Sequence, residues 1–155
     1  MCSVVHSVSR KYVPYGKGTG LAFGMGAAEQ AAFDPTEKYF YTASEAGYVN
    51  VIDYNVPATP ETEADAAIDL AGSKLTDVDV CGGLIAVGIG AVTASDNGEV
   101  KIYTTVKRDS VAAPVLAATI AVGPLPDMVA FNSDCTKLAV ANEGACQRCC
   151  ALRRS

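Results

Sequence analysis

The chain has 155 residues, with 12 Lys and Arg against 17 Asp and Glu, for a net charge of −5. That balance argues against a nucleic-acid or anionic-membrane surface, which needs clustered basic residues. Half the residues are apolar and 19% are charged, so the chain can build a packed core and is not a disordered acidic polymer. No apolar run approaches the roughly 20 residues of a membrane-spanning helix.

Residues 1–26 show neither helical nor strand periodicity. With Gly16, Gly18, Gly20, Gly24 and Gly26 they read as a flexible N-terminal arm. A secretory signal would need a basic start, an apolar run and a small-residue cleavage site, and only Leu21 to Ala28, broken by two glycines, comes near.

From Glu29 the chain reads as short strands separated by turn chemistry. Ala31–Phe33 leads into the turn Asp34-Pro-Thr-Glu-Lys38, where Pro presets φ and Asp bonds its own backbone. Tyr39–Ala43 and Tyr48–Tyr54 follow, rich in aromatic and β-branched residues. After a loop over Val56–Asp65, Ala67–Leu70 supplies a fourth strand. The grammar recurs with Leu75–Val80, a turn at Gly82-Gly83, Leu84–Val87, a hairpin signal at Asp96-Asn-Gly98, Val100–Tyr103 and the outer strand Val115–Val122. A third cycle opens with Pro126–Phe131, turns at Asn132-Ser-Asp134 and continues with Lys137–Ala141.

Equivalent strand ends fall at Phe33, Val80 and Phe131, spaced by 47 and 51 residues. A four-stranded unit at that period marks an all-β protein of the β-propeller type; a sandwich also gives short, evenly spaced strands, and the repeat favours the propeller. The smallest ring needs about 180 residues, so 27–144 reads as an incomplete propeller of about two and a half blades. The expectation is a truncated form of a longer protein, whose open propeller edge drives self-association or is covered by a partner. Residues 145–155, with Cys146, Cys149, Cys150 and three Arg, read as an unstructured Cys- and Arg-rich tail.

The stretches Ala28–Pro35, Val49–Asp53, Gly83–Val87, Asp96–Lys101, Gly123-Pro-Leu-Pro-Asp-Met-Val-Ala-Phe131 and Leu138-Ala-Val-Ala-Asn-Glu-Gly144 resemble the choice-of-anchor I domain, as found in mesenchyme-specific cell-surface glycoproteins. The resemblance covers about residues 27–144, with the Leu-Pro-Asp-Met and Ala-Asn-Glu-Gly blocks as its specific part. It implies a seven-bladed, YVTN/WD40-like propeller. It also implies a non-enzymatic extracellular or cell-surface role tied to biomineralisation, with matrix, mineral or protein partners. No Asn-x-Ser/Thr acceptor occurs, so this chain carries no N-linked glycan.

Candidate chemistry is sparse. Asp127, Asn142 and Glu143 are the candidate metal ligands: antiparallel pairing brings the start of one strand beside the end of the next, and Ca²⁺ seeks such carboxylate and amide oxygens. The competing reading is turn residues bonding local backbone. Asp77-Val-Asp79 fails as an EF-hand loop, because position twelve is Gly88 where Glu is required, and its alternation marks a strand. Two carboxylates on one face of an inner strand could still line a channel. Gly16-Lys-Gly-Thr-Gly20 lacks the ending of a phosphate loop, and His6 is the lone histidine. Cys146-x-x-Cys149 with Cys150 leaves zinc, a disulfide and an accidental tail open. No catalytic set is visible. The alternatives from other classes are a secreted metal-dependent phosphatase- or esterase-like enzyme, since propellers host such chemistry through bound metal, and a general protein-interaction propeller.

Overall fold

In the computed structural model, which describes residues 11–13 and 26–144, every regular element except one 3-10 turn is a strand, so the protein is all-β as expected. The arm over 1–26, apart from residues 11–13 and Gly26, and the tail over 145–155 lie outside the described residues. So do His6, the Gly16–Gly20 stretch and the three tail cysteines.

The first sheet is an antiparallel meander of β1 (Gln30–Asp34), β2 (Tyr39–Ser44) and β3 (Tyr48–Asp53). Its first turn is made by Asp34, whose Oδ1 accepts the N–H groups of Thr36 at 2.8 Å and Glu37 at 3.2 Å. The outer edge differs from the single fourth strand expected at Ala67–Leu70. It is split into β4 (Glu61–Thr62), on Ile52 and Asp53, and β5 (Ile68–Asp69), on Tyr48 and Val49. Between them the 3-10 turn Ala64–Ala66 pulls Ala66, fully buried, into the core. That burial takes the chain off the edge at the end of what reads in sequence as a plain loop.

The second sheet runs β6 (Lys74–Cys81), β7 (Leu84–Gly90), β8 (Asn97–Thr104) and β9 (Leu116–Pro124) in chain order. Gly82 and Gly83 turn the first hairpin with φ of 58° and 82°, the left-handed region glycine reaches without steric cost. The second hairpin corrects the Asn97-Gly98 reading. Both residues lie inside β8, and the turn falls earlier, where Asp96 donates its N–H to Thr93 O. Gly98 is needed for close approach instead: a Cβ there would stand 2.5 Å from Pro126 Cδ and 2.6 Å from Ile89 O.

The third sheet is the hairpin of β10 (Pro126–Phe131) and β11 (Leu138–Asn142). Asn132 builds its turn as Asp34 does in the first sheet, with Oδ1 accepting the N–H groups of Thr136 at 2.9 Å and Lys137 at 2.8 Å.

The three sheets pack face to face in order. Tyr39, Tyr41, Val49 and Val51 of the first meet Val78, Ile85, Val87 and Tyr103 of the second in one core. On the other face of the second sheet, Ala86, Val100 and Ile102 pack with Val129, and Phe131, Leu138 and Val140 flank them. β7 feeds both cores, alternate residues going to opposite sides, which explains its unbroken apolar run from Leu84 to Ile89. The equivalence of Phe33, Val80 and Phe131 holds: each lies at or next to the end of its sheet's first strand. Val80 packs toward the first sheet and Phe131 toward the second. Phe33 has no preceding sheet among the described residues. It is 39% exposed, with its ring 4.6 Å from that of Phe40. The sheets do not close on one another.

Candidate functional site

The first strands of the three sheets lie side by side, with β6 between β1 and β10. An antiparallel strand turns alternate N–H groups away from its sheet partner, so each first strand presents unpaired donors toward its neighbour. Two carboxylates answer them. Asp77 Oδ2 accepts the Val129 N–H and Asp79 Oδ2 the Phe131 N–H, each at 2.7 Å. Their Oδ1 atoms accept the N–H groups of Val78 and Val80, each at 2.8 Å. Each carboxylate thus bridges equivalent donors on β6 and β10. The Asp-Val-Asp spacing read as a strand facing a channel is a clasp between two strands.

Burial raises the Asp77 pKa above the ordinary carboxylate range, with the charges of Asp79 and Asp127 adding to it; the bonds from Val129 and Val78 pull the other way and do not cancel it. Gln30, Asp79, Asp127 and Met128 share with Asp77 a cleft of about 470 Å³ along this wall. A second cleft, of about 570 Å³, continues past Glu29, Glu45 and Lys74.

The predicted ligands fall at the end of the third hairpin. Asp127 is exposed, at the irregularity between Pro126 and Met128, and lines both clefts. Asn142, opposite Pro126, lays its amide against Gly123 of β9, where a Cβ would come within 3.0 Å of its Cγ. Glu143 is exposed and donates its N–H to Leu125 O at 2.8 Å. Among the described residues no group of three or more His, Cys, Asp or Glu converges as a metal cage.

Two fastenings escaped the sequence reading. Cys81, at the end of β6, forms a disulfide with Cys135 in the β10–β11 turn, with Cα atoms 5.4 Å apart. The repeat carried a signal for it, because the two cysteines stand at or just beyond the end of the first strand of consecutive units. At the other joint, Arg108, beyond β8, grips the first sheet. Its guanidinium makes a two-point contact with Asp53 at 2.8 and 3.0 Å, bonds Glu37 O, and lies 4.7 Å over the Tyr39 ring. The Arg108 hydrogen bond holds the Asp53 carboxyl below its usual range, and the Arg108 N–H, with Lys107, does the same for Glu37.

The arrangement fastens sheets together. No helix among them is long and apolar enough to cross a membrane. No curated protein matches the chain. A family model, the choice-of-anchor I domain, matches residues 29–151. Domains of that family are not known as enzymes and point to a cell-surface or extracellular role. With most of its length under that match, the chain belongs to the choice-of-anchor I domain family.

Proposed function

We propose that this chain is part of a non-catalytic β-propeller that works outside the cell or on its surface as a rigid binding scaffold. The observation that carries the reading is the Cys81–Cys135 disulfide, which ties the second sheet to the third. Such bonds persist in oxidising compartments and are rare in the cytosol, which agrees with the family's cell-surface association. The propeller itself is supported by the side-by-side first strands and by the repeat of Phe33, Val80 and Phe131, two of which face the preceding sheet. Peptide mapping of the secreted protein without reductant tests the reading. A Cys81–Cys135 linked peptide is expected, and two free thiols would overturn the oxidising compartment.

The finer role we propose is contact with mineral or matrix through calcium. Its support is the exposed oxygen donors Asp127, Asn142 and Glu143 at one end of the third hairpin. Calorimetric calcium titration of the wild type and of Glu143→Ala tests it. Saturable binding weakened by the substitution is the expected result, and no binding, or identical binding, discards the site.

A further inference from the structure

Two outer sheet edges of this molecule are treated in opposite ways. That of the first sheet is cut into two-residue pieces, β4 and β5, and carries Glu61, Glu63, Asp65 and Asp69. Short strands and charges are the usual guards of an exposed edge, since unpaired N–H and C=O groups otherwise recruit another strand. β9, the outer edge of the second sheet, has neither guard. It is nine residues long, Leu116 to Ala121 are exposed throughout, and no charged residue lies between Asp109 and Asp127. Ile120, in the middle, is 45% exposed, with Leu116 at 49% and Val115 at 64%.

We propose that β9 is a pairing edge for a second copy of this chain, antiparallel, with Ile120 of each copy opposite the other. The backbone has the phase this requires. Thr104 donates its N–H to Val115 O, Ile102 stands opposite Ala118, and Val100 opposite Ile120. Alternation from Thr104 turns the peptide groups of Ala118 and Ile120 toward β8 and those of Thr119 and Ala121 outward. Centring the pair on Ile120 sets Thr119 against Ala121 of the second copy, and Ala121 against its Thr119, as hydrogen-bonded pairs. The two Ile120 side chains then meet at the closer, non-bonded spacing.

Charge selects this occupant. Two copies carrying −5 each repel over most of their surface, and the strip from Ser110 to Pro126 is where they meet without like charges opposed. A basic partner finds no carboxylate on that strip, and an acidic one finds no cation. Among the described residues the outer edge of the third sheet, β11, is shorter, at five residues, and meets β9 only near its end, where Gly123 lies against Asn142.

Sedimentation velocity across a concentration series of the full chain tests the proposal. The wild type is expected to dimerise reversibly. Ile120→Lys and Ile120→Glu each place like charges face to face across the axis, and each is expected to raise the dissociation constant about tenfold or more. Mixing the two variants is expected to restore dimers, as heterodimers weakened by salt, which a misfolded variant would not do. A wild type that stays monomeric at its highest soluble concentration overturns the proposal. So does a mixture that fails to recover, or a dimer that survives Ile120→Lys and is lost in Ala139→Lys, which would move the contact to β11.

Discussion

The joint between the first and second sheets and the joint between the second and third are built by different means. The first encloses full-width sheets around buried rings and branched chains, Tyr39, Tyr41, Val51, Ile85 and Val87 among them, and its polar fastening by Arg108 lies at the rim. The second closes on a two-stranded hairpin, whose strands bury only Pro126 and Val129. There the carboxylates of Asp77 and Asp79 and the Cys81–Cys135 bond hold the sheets together. The contrast teaches that apolar area suffices where both faces are wide, and that directional or covalent links substitute where one partner is narrow.

Tyr41→Ala tests the wide joint and carries the largest expected effect. The ring is fully buried, and its hydroxyl accepts the Val106 N–H at 3.0 Å. Removal empties a large site in the core and orphans that donor, a loss of about 3–5 kcal/mol in urea unfolding. Tyr41→Phe keeps the volume but still orphans the buried Val106 N–H, and is expected to cost about 1–3 kcal/mol. A loss with alanine no greater than that with phenylalanine would break the claim that burial dominates this joint.

Replacing both Cys81 and Cys135 by Ser addresses the narrow joint. Closing a loop across 54 residues of sequence separation is worth about 2–4 kcal/mol. The sharper reading is where the loss appears. Amide exchange is expected to quicken in β10 and β11 while the Tyr41 neighbourhood of the first sheet stays protected. Uniform quickening would mean that the two joints open as one unit.

Asp77→Ala comes next. It leaves the N–H groups of Val129 and Val78 without their acceptor at a site where Asp77 is buried, for a loss of about 1–3 kcal/mol. The same change at Asp79, which is half-buried, is expected to cost less, because water replaces part of the bond to Phe131. Equal losses would show that burial does not grade the clasp.

Much of this fold was legible in the chain, and the parts that were not share a cause. Local alternation and turn residues announced the hairpins at Asp34, Gly82-Gly83 and Asn132, because these residues act within their own turns. Asn97-Gly98 misled because the demand on Gly98 comes from Pro126, which reaches it only once the third sheet is docked. The split outer edge of the first sheet follows from the burial of Ala66, another event of packing between sheets. Asp77 and Asp79 were visible as one-faced carboxylates, but their partners lie 52 residues away on β10. Of the candidate ligands, the strand order placed Asp127, Asn142 and Glu143 at one hairpin end, while the seat of the Asn142 amide on Gly123 depends on β9.

The smallest expected effect is a pH dependence, and its sign follows from Asp77. Its folded pKa is raised, chiefly by burial, so the folded chain holds that proton at a pH where the unfolded chain has released it. Stability from Asp77 is therefore fully present below the ordinary carboxylate value of about 3.9 and is lost as pH rises through the raised folded value. Asp53 and Glu37, held low by Arg108 and Lys107, act in the opposite sense and lose their contribution as pH falls. The two joints thus respond to acid with opposite signs, so the raw unfolding midpoint mixes them. Comparison with Asp77→Asn, which does not titrate, separates them: the wild type is expected to lose stability relative to the variant as pH climbs from the carboxylate range toward neutrality. A difference that is flat across that range would place Asp77 at an ordinary pKa and make burial at the clasp electrostatically neutral.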